Sequence, residues 1–246
     1  SVLGPLLFLL FVNELPRWIL TNMKMFADDT KLWKAVSSVS DSQAIQRDLD
    51  SLSAWSDKWL LRFNPTKCKV MHVGHSLNTR YFMSDGAGPM ELQVVTEEKD
   101  LGVLFTEDLK PGRQCMAAAA IASKIIGLVR RNFRDLDKRD FLLIYKTYIR
   151  PHLEYCIQAW SPYLEKDMDM LERVQRSATR LLSGFAKYSY EDRLRRLGIT
   201  TLRKRRERGD LIEAYKIISG KEKIDKTQFF HPAKSGYNLR GHSLKI

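Results

Sequence analysis

The sequence predicts an α+β fold: helices packed on a small antiparallel sheet through about residue 108, then an all-helical region. Three observations point there. Two short apolar runs, residues 23–27 and 32–36, flank an acidic turn, the pattern of a β-hairpin. Ala44, Ile45, Leu49, Leu52 and Trp55 then recur at three- and four-residue steps, the period of an amphipathic helix. Beyond Lys110, Pro111, Pro151 and Pro162 punctuate amphipathic segments joined by short connections, which argues a helical bundle.

Residues 2–12 are apolar enough to imitate a signal peptide. They lack a basic leader, carry Gly4-Pro5 near the start and are too short to span a bilayer. They read as a short buried helix entered through Gly4-Pro5, because proline is tolerated in a helix's first turn. Position 1 is Ser rather than Met, so the chain is expected to be part of a longer reading frame. After the hairpin, Asp41 is a candidate N-cap for a helix running to about Leu61. Trp55 and Trp59, on adjacent turns, read as core rather than as a base-stacking platform. Phe63-Asn64-Pro65 turns the chain into a strand over 68–73. Residues 75–89 are polar and Gly-rich, a loop within a small hairpin. Residues 91–105 give two short strands around Glu97-Glu98-Lys99-Asp100. Helices are predicted over 113–131, 137–149, 165–183, 189–197 and 201–219. The boundaries are therefore 1–108, 109–220 and a polar tail, 221–246.

A chain of 246 residues with 44% hydrophobic content builds a real core and is not a disordered tail. Its net charge of +12 suggests a polyanionic partner, nucleic acid first. Cys68, Cys115 and Cys156 are too far apart for a zinc spacing or a disulfide framework, which fits a reducing intracellular compartment. A hydrolase reading fails for want of a nucleophile–His pair.

Asp28 and Asp29 sit at the tip of the predicted hairpin. Paired carboxylates offer the oxygen ligands Mg²⁺ prefers, often shared with substrate phosphates; an isolated Asp pair at a turn is more often simple turn chemistry. Base concentrates in Arg130 and Arg131, and in Arg195, Arg196, Arg203, Lys204, Arg205 and Arg206. Such runs are commonly solvated helix faces. Facing a groove, they would track phosphates by displacing counterions; residues 203–208 also fit a nuclear-localisation pattern.

Four motifs stand in order: SVLGPLLFLLFVNELP at 1–16, FADD at 26–29, LRFNPTKCKV at 61–70 and LGV at 101–103. Together they resemble the reverse transcriptase of non-LTR (LINE-type) retrotransposons of the jockey and chicken-repeat-like kind. The resemblance implies part of a polymerase palm over 1–108, with a primer-grip-like hairpin, followed by a helical thumb and the start of a C-terminal extension. It implies RNA-directed DNA synthesis on an RNA template, from a DNA primer and deoxynucleoside triphosphates, with two Mg²⁺ ions roughly 3.5–4 Å apart. Asp28 would be a direct metal ligand, and Asp29 a ligand or its outer support. Phe26, standing where many relatives have Tyr, would pack near the primer end. Lys67 would protonate departing pyrophosphate, or is a surface lysine after a turn. Leu101 and Gly102 would hold the primer's 3′ end. Asn13 would cap the palm helix or approach the nucleotide.

The resemblance also places the fingers and another catalytic Asp upstream of Ser1. The chain alone is therefore expected to be inactive and to expose an apolar surface around residues 6–11. Its expected location is nuclear, or cytoplasmic as a ribonucleoprotein, without a membrane. The alternative is a non-catalytic RNA- or DNA-binding remnant using the basic helices.

Overall fold

The computed structural model describes residues 3–74, 77–84, 86 and 88–231. They belong to two compact units, Ser1–Leu109 and Lys110–Ile246. The last part of the expected polar tail, 232–246, lies outside the described residues.

The first unit opens with helix α1 (Leu3–Val12), which carries Pro5 in its first turn, where no intrahelical N–H is needed. The expected burial is not found, whereas the apolar surface expected around residues 6–11 is: Val12 is its one buried residue, and Leu6, Leu7, Leu9, Leu10 and Phe11 are exposed. The helix is apolar all round, so no polar face marks the side that meets water, and only its C-terminal end packs on the unit, through Val12 and Phe11. Phe11 meets Trp59 edge-on at 5.4 Å, and a 3₁₀ turn (Leu15–Trp18) carries Leu15 into the core.

Strands β1 (Asn22–Phe26) and β2 (Asp29–Trp33) form the expected hairpin, pairing Phe26 with Asp29 and Lys24 with Lys31. The second strand starts three residues earlier than predicted, so Asp29 belongs to the strand and only Ala27-Asp28 form the turn. Helix α2 (Val39–Trp59) is capped by Ser38, not Asp41. Asp41 is the third residue of a capping box: its N–H bonds the Ser38 hydroxyl and its carboxylate receives the Ser38 N–H. The apolar stripe of α2 places Leu49, Leu52 and Trp55 against Leu15, Ile19, Tyr81, Met83 and Leu92. Buried Asp48 accepts the N–H groups of Leu20 (3.0 Å) and Thr21 (2.7 Å), tying α2 to the segment that enters β1. Burial works to raise its carboxyl; hydrogen bonds from Thr21 and Leu20 outweigh it and hold the group below its ordinary value.

Six shorter strands follow: β3 (Lys69–Val70), β4 (Phe82–Ser84), β5 (Pro89–Glu91), β6 (Gln93–Val94), β7 (Glu97–Asp100) and β8 (Val103–Thr106). Among the described residues the sheet is not one antiparallel sheet but four two-stranded ladders, and β3–β6 is parallel. One reason is visible at β4. The Gln46 side chain donates to the Phe82 carbonyl and accepts its N–H, both at 2.9 Å, so a helix side chain occupies the edge another strand would use. The strand expected over 68–73 pairs only at Lys69 and Val70. The acidic run 97–100 is itself β7, and the turn falls one step later at Leu101-Gly102. Both turn residues have positive φ, 46° and 86°, as a two-residue type I′ hairpin requires.

The second unit is helical as predicted. Helix α3 (Gly112–Asn132) buries Cys115, Ala118, Ala119, Ala122, Ile126 and Val129 at three- and four-residue steps. Burial pushes the Cys115 thiol up to about 12, an inert core cysteine. The predicted 137–149 helix is α4 (Lys138–Ile144), capped by Asp137, then a π turn (Tyr145–Ile149), then α5 (Arg150–Glu154). Pro151 has no N–H and crowds the carbonyl four residues back, so the ladder widens just before it. A single turn, α6 (Ile157–Trp160), leads to α7 (Glu165–Ala178), which ends earlier than the predicted residue 183. Helices α8 (Tyr190–Leu197) and α9 (Leu202–Ile218) follow, capped by Ser189 and Thr201.

Candidate catalytic hairpin and nucleic-acid interface

The β1–β2 hairpin alternates cleanly. Met23, Met25, Thr30 and Leu32 turn inward; Lys24, Phe26, Asp29 and Lys31 face out. Ala27 takes a left-handed φ of 54° to close the turn, a conformation that costs an L-residue energy. Asp28 and Asp29 are both exposed, with Phe26, 66% exposed, directly across from Asp29. Two adjacent exposed carboxylates fit Mg²⁺ that keeps waters and shares substrate phosphates. They are not a complete protein cage: among the described residues no group of three His, Cys, Asp or Glu side chains could hold a metal.

Beside them lies the second hairpin. Lys31 forms an ion pair with Asp100, and its ammonium stands 5.4 Å from the Phe105 ring centroid. The exposed Leu101-Gly102 turn is thereby tethered to the strand that bears Asp29. Lys67 is exposed in a turn built by Asn64, whose carbonyl accepts the Lys67 N–H and whose side chain accepts from Thr66.

The basic residues of the second unit do not form one free face. Arg206 is 5% exposed, so it cannot present its guanidinium to solvent, and burial lowers its pKa. Arg205 is clasped by Glu154, which raises its pKa. Arg203 pairs with Glu165 (3.2 Å) and Glu207 (3.5 Å), and Arg195 with Asp192 (3.0 Å). Arg196 stacks 4.0 Å from the Tyr188 ring, where Lys187 also sits at 5.3 Å. Arg130 and Arg131 are exposed in the last turn of α3, where cations also complement the helix dipole, and Lys204 is exposed on α9.

Sequence reasoning missed Arg173, Arg176 and Arg180. All three are exposed, on α7 and the turn after it, and no carboxylate pairs with them among the described residues. Arg176 lies 4.9 Å from the Tyr190 ring. Arg173 edges a shallow groove floored by Ala119, Ala120 and Ser123 of α3 and Ser177 of α7. The signal was available: arginines at three- and four-residue steps lie on one helix face.

Residues 1–106 match the family model for reverse transcriptase (RNA-dependent DNA polymerase). The chain is 25% identical over 198 residues to the RNA-directed DNA polymerase from mobile element jockey of Drosophila funebris, covering 75% of this chain and 21% of that protein. It is 24% identical over 210 residues to the probable RNA-directed DNA polymerase from transposon BS of Drosophila melanogaster, covering 74% and 22%. The probable RNA-directed DNA polymerase from transposon X-element of the same fly is 23% identical over 196 residues, 75% and 21%. The chain thus spans about a fifth of the length of these relatives. No solved structure matches it. These matches make residues 1–106 similar to reverse transcriptase (RNA-dependent DNA polymerase), and the longer aligned stretch similar to the RNA-directed DNA polymerases of these mobile elements.

Proposed function

We propose that the chain supplies the nucleotide-transfer hairpin and a helical nucleic-acid-binding part of a non-LTR retrotransposon's RNA-directed DNA polymerase. The observation that carries this reading is the exposed Asp28-Asp29 pair at a hairpin tip, within the residues that match the family. In the reaction, a primer 3′-hydroxyl forms a bond to the α-phosphorus of a deoxynucleotide, and the bond to pyrophosphate breaks. Bound Mg²⁺ would neutralise charge on the phosphates. Asp28 and Asp29 supply anionic oxygens to hold it. Phe26 offers an apolar ring beside them for the primer's terminal sugar and base. Lys67, exposed on a turn that Asn64 closes by hydrogen bonds, is the proton donor to the departing pyrophosphate. The Leu101-Gly102 turn holds the primer end.

The helical unit binds the template–primer duplex through phosphates. Arg173, Arg176, Arg180, Arg130, Arg131 and Lys204 carry this role better than Arg203, Arg205 and Arg206, whose charges are neutralised or buried. The reading assigns no processive synthesis to the 246-residue chain alone, because two carboxylates are a thin donor set for two ions. Arg173, Arg176 and Arg180, which pair with no carboxylate among the described residues, favour one second reading, a binding module for which Asp28 and Asp29 are dispensable.

Mn²⁺ titrated into the isotope-labelled chain tests the hairpin. Amide signals around residues 28–30 should broaden, and Asp28→Ala should abolish the broadening. No broadening in the parent chain would sink the metal role. Processive primer extension by the chain alone, lost in Asp28→Ala, would keep the site and overturn its predicted insufficiency.

A further inference from the structure

We propose that Lys31 is a positioning residue that fixes the distance between the primer-holding turn and the carboxylate pair. The inference rests on the reading above that the Leu101-Gly102 turn receives the primer end. Within the β1–β2 hairpin Lys31 is a poor choice. It stands directly opposite Lys24 on the outward face, and like charges across an antiparallel pair repel. It is also two residues from Asp29 on the same face, where its ammonium would be drawn to the metal-binding carboxylate. Neither happens. The ammonium reaches away to Asp100 and over the Phe105 ring, two groups of the other hairpin.

The location of those groups gives the contact its use. Asp100 is the last residue of β7 and pairs with Val103 across the turn, so it forms the base of the Leu101-Gly102 tip. Phe105, on β8, faces Glu98 on the partner strand. Lys31 therefore grips both strands of the second hairpin near its tip, from a site two residues beyond Asp29. It is exposed enough to be replaced without opening the core, its side chain being 57% accessible. A primer terminus bound at residues 101–102 would be held in register with the carboxylates by this one side chain. Reactions of bound groups are steeply sensitive to such placement.

The test uses the full chain and a template–primer duplex whose primer ends in a photoreactive 4-thiothymidine. The parent chain should cross-link within residues 97–106. Lys31→Met should bind the duplex within about twofold of the parent, because one exposed charge among many is a small part of phosphate affinity. Its cross-linking to 97–106 should fall about tenfold, a loss of register rather than of binding. Lys31→Arg should restore it, as should the swapped pair Lys31→Asp with Asp100→Lys. Lys31→Met cross-linking as well as the parent would overturn the proposal and leave the primer-end reading intact. A parent chain that binds duplex but cross-links elsewhere would sink the primer-end reading itself, and this proposal with it.

Discussion

Glu172 on α7 accepts the backbone N–H of Leu202 at 3.0 Å and so holds the start of α9 from thirty residues away. Its other oxygen takes the Tyr190 hydroxyl and the Gln175 amide (3.3 Å), and Gln175 also donates to the Thr200 carbonyl at 3.0 Å. Polar groups from α7, α8 and the α9 entry thus satisfy one another away from water. Burial and the bond to Glu172 push the Tyr190 phenol well above its usual range, so it remains a donor. Glu172→Gln turns an acceptor into a donor facing donors. It should destabilise the helical unit by about 2–3 kcal/mol in urea unfolding. Tyr190→Phe, which removes one donor and leaves the carboxylate its other partners, should cost less.

The start of α2 should be acid-sensitive. The Ser38 hydroxyl, followed by the Ser37 N–H, holds the Asp41 carboxyl down to about 2 from an ordinary 3.8. A depressed carboxyl means the unfolded chain binds more protons between those values. Its contribution is therefore complete above pH 3.8 and lost as the pH falls through about 2. Carboxyl chemical shifts and amide exchange over 38–44 would follow it. Ser38→Ala should return Asp41 toward its ordinary value and cost about 1 kcal/mol at neutral pH.

Leu101 occupies a left-handed conformation that Asn adopts far more readily in a type I′ turn. Leu101→Asn should stabilise the first unit by about 1 kcal/mol in chemical denaturation. Under the proposed function it should weaken retention of a primer end, so stability and primer-end cross-linking would move in opposite directions.

Duplex affinity should fall linearly in logarithm with salt. Removing one phosphate-binding side chain should flatten the slope by about 0.9. Arg173→Ala and Arg180→Ala should each do so, whereas Arg203→Ala should change the slope little, its charge being already paired with Glu165. Fluorescence anisotropy at several salt concentrations separates the two groups.

The exposed face of α1 should limit solubility. Leu10, 68% exposed, and Leu6, 54% exposed, touch too little to matter for folding. Leu6→Glu with Leu10→Glu should raise soluble yield and leave the unfolding free energy within about 0.5 kcal/mol. A drop well beyond that would mean the face is covered.

Much of this was legible because it is local. The period of residues 44–55 announces α2, and the apolar runs around Asp28-Asp29 announce the hairpin to within three residues. Asn64-Pro65 announces the turn that presents Lys67. What escaped depends on partners far along the chain. Nothing near Arg206 says that it will be buried or that Arg205 will meet Glu154, so a run of basic letters looked like one face. Gln46 gives no hint that it will close the edge of β4. Apolar letters alone cannot say whether a helix such as α1 is covered; that depends on how much surface the rest of the fold can offer.

The Lys31–Asp100 ion pair also sets a clock. The two residues are 69 positions apart, and ribosomes add about 5–20 residues per second, so the carboxylate hairpin waits roughly 3–14 s for its anchor. Throughout that interval Lys24 and Lys31 face each other uncompensated, and the residues gain their final arrangement only once β7 has emerged. The geometry around Asp28 and Asp29 thus reaches its final form only after residues far later in the chain have been made.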